Sequence, residues 1–286
     1  KTNNMSRLMG IAITVIIAFF GILAPFVSAE EVADATEKNQ ILKKFPLKVT
    51  QGVAVDANFF YAINNTKIVK YKKETGELVA SWLANKKEQA YAHFKHLNSA
   101  TVVDGKLYGA HSRYGSDPGD CSVEIWDVSA NKLKHLKTIR LPRKYGSLTW
   151  IDQHSDGSWW MCYAVYGKNK NKDTRLVRYK YQDHKFTELE SWSFPEEVVS
   201  HWGSFSCSGG SWGPAGLLYT TGHDEALVHV LKIDKENIVS YVRSEKVRGL
   251  SGQAIAWDRF SKQPTLWGIV RNKHVSSSLI SHKKSP

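Results

Sequence analysis

Five short stretches recur along this chain at a spacing that few folds accept. "QGVAVD" begins at Gln51, "SATVVD" at Ser99, "SLTWID" at Ser147, "GGSWGP" at Gly209 and "QAIAWD" at Gln253. Each opens on a small or polar residue and then turns apolar. Four of the five end in aspartate: Asp56, Asp104, Asp152 and Asp258. The intervals are 48, 48, 62 and 44 residues. A period of roughly 40–50 residues made of β-like runs is that of a four-stranded propeller blade.

The rest of each unit fits that reading. A second run follows the first: "FFYAIN" from Phe59, "KLYGAH" from Lys106, "WWMCYAVY" from Trp159, "LLYTTGH" from Leu217 and "TLWGIV" from Thr265. A third follows in turn, from Lys67, Ser122, Arg175, Leu227 and His274. Outer strands are expected from Glu77, Lys132, Phe186 and Ile238, but the fifth unit ends before one appears. "ILKKFPLKV", Ile41 to Val49, stands alone ahead of the first unit. It is expected to supply the missing strand, because closing the ring removes the exposed edges of an open array. The predicted fold is an all-β, five-bladed β-propeller closed by an N-terminal strand, one domain over 41–286. One short helix is predicted after Pro195, with Glu196 and Glu197 in its first turn.

The segment 1–29 reads as a leader and secretory signal peptide: Arg7, an apolar run from Leu8 to Val27, then small residues at Val27-Ser28-Ala29. A flexible stretch over 30–40 is expected next, and no membrane association once the signal is removed. The chain carries net charge +12, which falls to +10 when Lys1 and Arg7 leave with the leader. That charge favours a small anionic ligand or an acidic extracellular polymer. Nucleic acid is not an expected partner, since no basic helix or aromatic RNA-binding motif occurs. The expectation is a secreted, extracellular monomer. Asn64-Asn65-Thr66 is a glycosylation acceptor at Asn64. Cys121, Cys162 and Cys207 match no zinc motif and allow at most one bridge, with three pairings open.

The blade pattern is similar to secreted propellers of the NHL and lactonase-like groups. "HLNSATVVDGKLYGAHS", "GSLTWID", "GSWGPAGLLYTTGHD" and "GQAIAWDR" together resemble a secreted propeller family with a cycloisomerase-like designation. The resemblance spans roughly Gln51 to Arg259. It implies the propeller fold and leaves the reaction open, since a fold does not carry a function with it.

In a propeller the starts of the innermost strands and the turns between second and third strands meet on one face around the channel. The strand starts bring Gln51, His96, Asn98, Ser99, Ser147, Ser208 and Gln253 there. The turns bring Asn64, His111, Arg113, Tyr166, His223, Asp224 and Arg271. His96, His111 and His223 are the candidate catalytic groups. Gln51, Asn98, Arg113, Gln253 and Arg271 are the candidate ligand contacts. Three imidazoles and two guanidinium groups favour an anion, because arginine offers paired hydrogen bonds to a carboxylate. Glycoside hydrolysis is disfavoured: it needs two carboxylates, and the strand starts carry Gln, Asn, Ser and Gly. The repeated aspartates lie at the other strand end, where a turn role is expected. No cofactor or metal is predicted. A calcium ion in the channel would find only Gln51, Asn98, Asp224 and Gln253, a set poor in carboxylates. No G-x-S-x-G elbow supports a serine triad. Asp224 is expected to turn outward, because neighbouring side chains usually diverge. Two readings result: a binding protein without turnover, or an isomerase or lactonase with a histidine base and an arginine anion clamp.

Overall fold

The computed structural model describes residues 39–280, apart from 114–119, 143, 168, 235 and 237. The expected leader lies outside the described residues. Five four-stranded antiparallel sheets follow one another in the chain. Blade 1 is β2 (Gly52–Val55), β3 (Phe59–Asn64), β4 (Lys67–Lys72) and β5 (Leu78–Leu83). Blade 2 is β6 (His96–Val103), β7 (Lys106–Ser112), β8 (Cys121–Asp127) and β9 (Lys134–Arg140). Blade 3 is β10 (Ser147–Gln153), β11 (Trp159–Ala164), β12 (Arg175–Gln182) and β13 (Lys185–Ser193). A one-turn helix, α1 (Glu196–Val199), leads towards blade 4, which is β14 (Gly209–Trp212), β15 (Leu218–Thr221), β16 (Leu227–Ile233) and β17 (Val239–Lys246). Blade 5 is β18 (Ala256–Trp257), β19 (Thr265–Val270) and β20 (His274–Leu279), completed by β1 (Gln40–Phe45).

The innermost strands touch in a closed cycle: β2 with β6, β6 with β10, β10 with β14, β14 with β18 and β18 with β2. The chain is therefore a five-bladed β-propeller. Its closing pair is antiparallel, with Gln40 opposite Leu279 and Phe45 opposite Val275. The closing strand is shorter than the apolar run suggested, ending at Phe45 rather than Val49.

The core is divided into five wedges, one between each pair of blades. Between blades 1 and 2 lie Tyr61, Ile63, Trp82, Leu107 and Trp126. Between blades 3 and 4 lie Trp150, Trp160, Leu218 and Leu231, capped by Val198, Val199 and Trp202 from the α1 region. Trp126, Trp150 and Trp267 are fully buried. Each wedge must fill a space that widens outward, which suits bulky rings. Glycine serves where two blades approach most closely: a Cβ on Gly210 would stand 2.3 Å from the Trp150 ring.

Two of the four repeated aspartates depart from the expected turn role. Asp56 fits it, accepting the Asn58 and Phe59 amides at 2.8 and 2.7 Å. Asp104 fits it too, sitting at φ +48 ahead of Gly105 at φ +69. Asp152 is buried and joins blades instead. It accepts Thr101 Oγ1 of blade 2 at 2.7 Å, the Trp212 amide of blade 4 at 2.8 Å and Arg259 at 2.6 Å. Asp258 takes Lys73 Nζ of blade 1 at 2.9 Å, and both groups are buried. A charge buried on an inner strand must be paired, so these carboxylates became ties between blades. All three cysteines are buried free thiols.

Candidate functional site

A cavity of about 320 Å³ opens at one end of the channel. Its wall includes Gln51, His96, Asn98, Ser208, His223, Gln253 and Arg271, with Tyr166, Thr149 and Phe205 completing it. Among the described residues, Arg271 is the one fixed charge on that wall, and no aspartate or glutamate lines it.

The Gly222–Glu225 turn between β15 and β16 is built against the start of blade 5. The Gln253 amide donates to Gly222 O at 3.1 Å, and the Gly252 amide to Glu225 O at 2.9 Å. Gln253 Nε2 donates to His223 O at 3.2 Å, and Thr221 Oγ1 donates to Gln253 O at 2.6 Å. This close approach needs Gly252, since a Cβ there would stand 2.1 Å from His223 O. Gln253 itself is held at φ +63. A non-glycine residue in that region costs about 1–3 kcal/mol, and such strain concentrates at functional sites.

His223 is fixed from three sides. Its Nδ1–H donates to Asp224 Oδ1 at 2.5 Å, and Arg271 Nη1 donates to its Nε2 at 3.4 Å. The Phe205 ring lies over it, centroids 4.4 Å apart and tilted by 31°. Asp224 is 64% exposed and off the cavity wall, yet it meets the neighbouring ring rather than diverging from it as expected. In a tight turn consecutive side chains are released from strand alternation, so the carboxylate and the ring meet. Across the cavity, His96 is held down at about 4, by burial first and then by Arg271, His223 and Lys95. Its imidazole is neutral at pH 7. Asn98 donates to Leu148 O of blade 3 at 2.7 Å, and Gln51 Nε2 to Asn65 Oδ1 at 2.7 Å. The β6–β7 register shifts between Leu97 and Ala100. Such a bulge re-aims side chains.

Six positions expected on this face do not line the cavity: Asn64, Ser99, His111, Arg113, Ser147 and Asp224. His111 is fully buried inside β7 and does not line the cavity. Its Nδ1–H donates to Ser122 Oγ at 3.0 Å, and its Nε2 accepts the Lys95 amide at 3.0 Å. Both nitrogens are committed, and burial holds its pKa at about 4. Arg113 pairs with Asp120 at 3.4 Å, away from the wall. Asn64 closes β3 and accepts Thr50 Oγ1 at 2.9 Å. Sequence reasoning missed Thr149 and Phe205. Thr149 stands at a register shift between Leu148 and Trp150 in β10, where strand alternation does not say which way a side chain faces. Phe205 comes from an irregular segment with no periodic signal.

A larger hollow of about 750 Å³ lies between Trp212, Trp257 and Pro264. Its Arg259 and Asp258 are already engaged by Asp152 and Lys73.

No family model matches the chain, and no curated protein matches it. Solved structures similar to it include a luciferin-regenerating enzyme, at 11% identity and TM-score 0.47 over 82% of this chain and 92% of that one. A gluconolactonase-like propeller is similar at 13% identity and TM-score 0.46, over 78% and 73% of the two chains. The WD40 domain of Toxoplasma gondii coronin is similar at 12% identity and TM-score 0.41, over 86% and 57%. The likeness concerns the propeller architecture alone.

Proposed function

We propose that the protein is a secreted, basic β-propeller that binds a small anionic, polyhydroxylated ligand at the channel mouth, without turnover. The observation that carries this reading is the wall composition. One guanidinium, Arg271, stands beside neutral imidazole and amide groups with no opposing carboxylate. A cavity of about 320 Å³ is of small-molecule size. Arg271 would hold the anion, while Gln51, Asn98 and Gln253 would take hydroxyl groups. The net charge of +12, or +10 once Lys1 and Arg7 leave with the leader, would add attraction to acidic polymers outside the cell.

Calorimetry with glucuronate, a sugar acid, against neutral glucose tests this. Glucuronate should bind the full chain more tightly than glucose. Arg271→Met should weaken glucuronate by at least about tenfold, roughly 1.4 kcal/mol. Equal affinities, or an unchanged Arg271→Met protein, would remove the proposal.

The Asp224–His223 hydrogen bond favours a second reading, an isomerase or lactonase. A carboxylate on Nδ1–H fixes the tautomer, and Nε2 would act as a general base once Arg271 turns from it to the substrate. Arg271 would then clamp the substrate anion.

A further inference from the structure

The third strand of blade 2 carries Glu124 opposite Thr138 of the outer strand. His93, from the segment leading into that blade, meets it from the side: Nε2 lies 2.9 Å from Glu124 Oε1. Blade 4 repeats this layout. His229, on its third strand, stands opposite Ser244 of the outer strand, and His201 arrives from the segment leading into the blade. Here an imidazole occupies the place of the carboxylate. Two rings therefore face each other, centroids 5.4 Å apart and tilted by 34°.

We propose that blade 4 holds one divalent transition-metal ion between the imidazoles of His201 and His229, with Glu225 as the third ligand. Two imidazoles on one ion, each with its nitrogen about 2.0–2.1 Å away, place their ring centres roughly 5–6 Å apart. The rings already stand in that range. His229 is prepared for the role. Its Nδ1 lies 2.7 Å from Ser244 Oγ, which also accepts Tyr241 OH at 3.0 Å. That contact holds the ring by Nδ1 and leaves Nε2 as the atom to meet an ion, the usual support of a metal-bound histidine.

Glu225 lies on the same small cavity, which Trp202 closes. Its Oε2 is 3.8 Å from His201 Nδ1. The Gly252 amide fixes its backbone carbonyl, while its side chain is 55% exposed and able to swing. Among the described residues no three such donors already surround one point. The ion would draw Glu225 in, and a water would complete a tetrahedral site. Two imidazoles and one carboxylate suit Zn²⁺, Co²⁺, Ni²⁺ or Cu²⁺ rather than Ca²⁺ or Mg²⁺. This site is independent of the channel-mouth reading, though His223 and Phe205 wall both cavities.

The test uses the full chain, freed of metal by chelation. Zn²⁺ is titrated by calorimetry, and Co²⁺ is followed by visible absorption. One equivalent of Zn²⁺ should bind, and Co²⁺ should give the intense bands of a tetrahedral complex. His201→Ala and His229→Ala should each weaken Zn²⁺ by about 10–100-fold, and Glu225→Gln by less. His154→Ala, on the far hollow, should change nothing. His201 is 46% exposed, so its variant stays informative if the His229 variant fails to fold. Absence of Zn²⁺ binding at about 100 μM, a Kd that corresponds to only ~5.5 kcal/mol, would overturn the proposal. So would binding that His201→Ala leaves within twofold.

Discussion

Blades 2 and 4 place the same strands in the same order yet resolve one position in opposite ways. Glu124 is fully buried and saturated. It receives His93 and His135 at 2.9 Å, and Ser122 and Thr138 at 2.6 Å. Burial alone would raise its pKa. The hydrogen bonds from His135, His93, Ser122 and Thr138 reverse that and hold the carboxyl far below its usual range. His229 is equally buried but has one tie, to Ser244, and faces another imidazole. A carboxylate can collect four donors and close a network. An imidazole at the same place offers one donor and one lone pair, and so leaves the network open. The closed arrangement confers stability, and the open one has capacity for a guest.

The strongest challenge to that contrast is to empty the closed site. Glu124→Ala strands two imidazoles and two hydroxyl groups inside blade 2. It should cost about 3–5 kcal/mol, as breaking a buried charged network does. Urea denaturation measures this, and a loss under about 1 kcal/mol would mean the network is not the anchor of blade 2. His229→Ala without metal should cost less.

Acid titration separates the buried histidines of both blades from Glu124 by pH. His96, His111 and His229 are held at about 4 in the fold, against about 6.5 unfolded. The unfolded chain therefore binds more protons in between. Their stability contribution is complete above pH ~6.5 and declines as pH falls towards about 4, by at most ~1.4 kcal/mol per pH unit for each group. Glu124 behaves as a depressed carboxylate. Its contribution is present above its unfolded value near ~4.3 and is lost only at lower pH. His229→Gln should flatten the limb between pH 6.5 and 4 by one proton's share, at most ~1.4 kcal/mol per pH unit. Glu124→Gln should leave that limb's slope unchanged and alter the limb below it. Equal slopes in wild type and His229→Gln would show that His229 is not neutral in the fold.

The smallest stability effect should come from the exposed turn of blade 4. His223→Ala should leave stability within about 0.5 kcal/mol. It should still weaken glucuronate by about tenfold. Unfolding on this replacement would make the turn structural, like the closed network of blade 2.

The contrast also marks what could be read from sequence. The five strand repeats were legible because each blade must return an apolar strand to the channel after a fixed length of chain. The same regularity placed Gln51, His96, Asn98, His223, Gln253 and Arg271 around one opening. It misplaced His111 by a single residue. Aligning Tyr108 with Tyr219 puts His111 level with Gly222, not His223, so it remains inside β7. A one-residue offset in a strand turns the side chain to the other face. The Glu124 cluster draws on three separate stretches of chain, from His93 to Thr138, and no local pattern announces it. The tie of Gln253 to the His223 turn depends on a left-handed backbone at two consecutive residues, a property that side-chain periodicity does not encode.

The clasp between β1 and β20 has a temporal meaning. Gln40 leaves the ribosome before any blade exists, and its partner Leu279 follows only after the other strands of all five blades. The closing strand thus waits for its partner while every blade is made. Until β20 emerges the growing array keeps an unsatisfied edge at each end, a hazard for association with other chains. Closure comes through a contact spanning nearly the whole described sequence, the kind that slows folding most. A product that stops before β20 would hold most of the wedges and none of the closure.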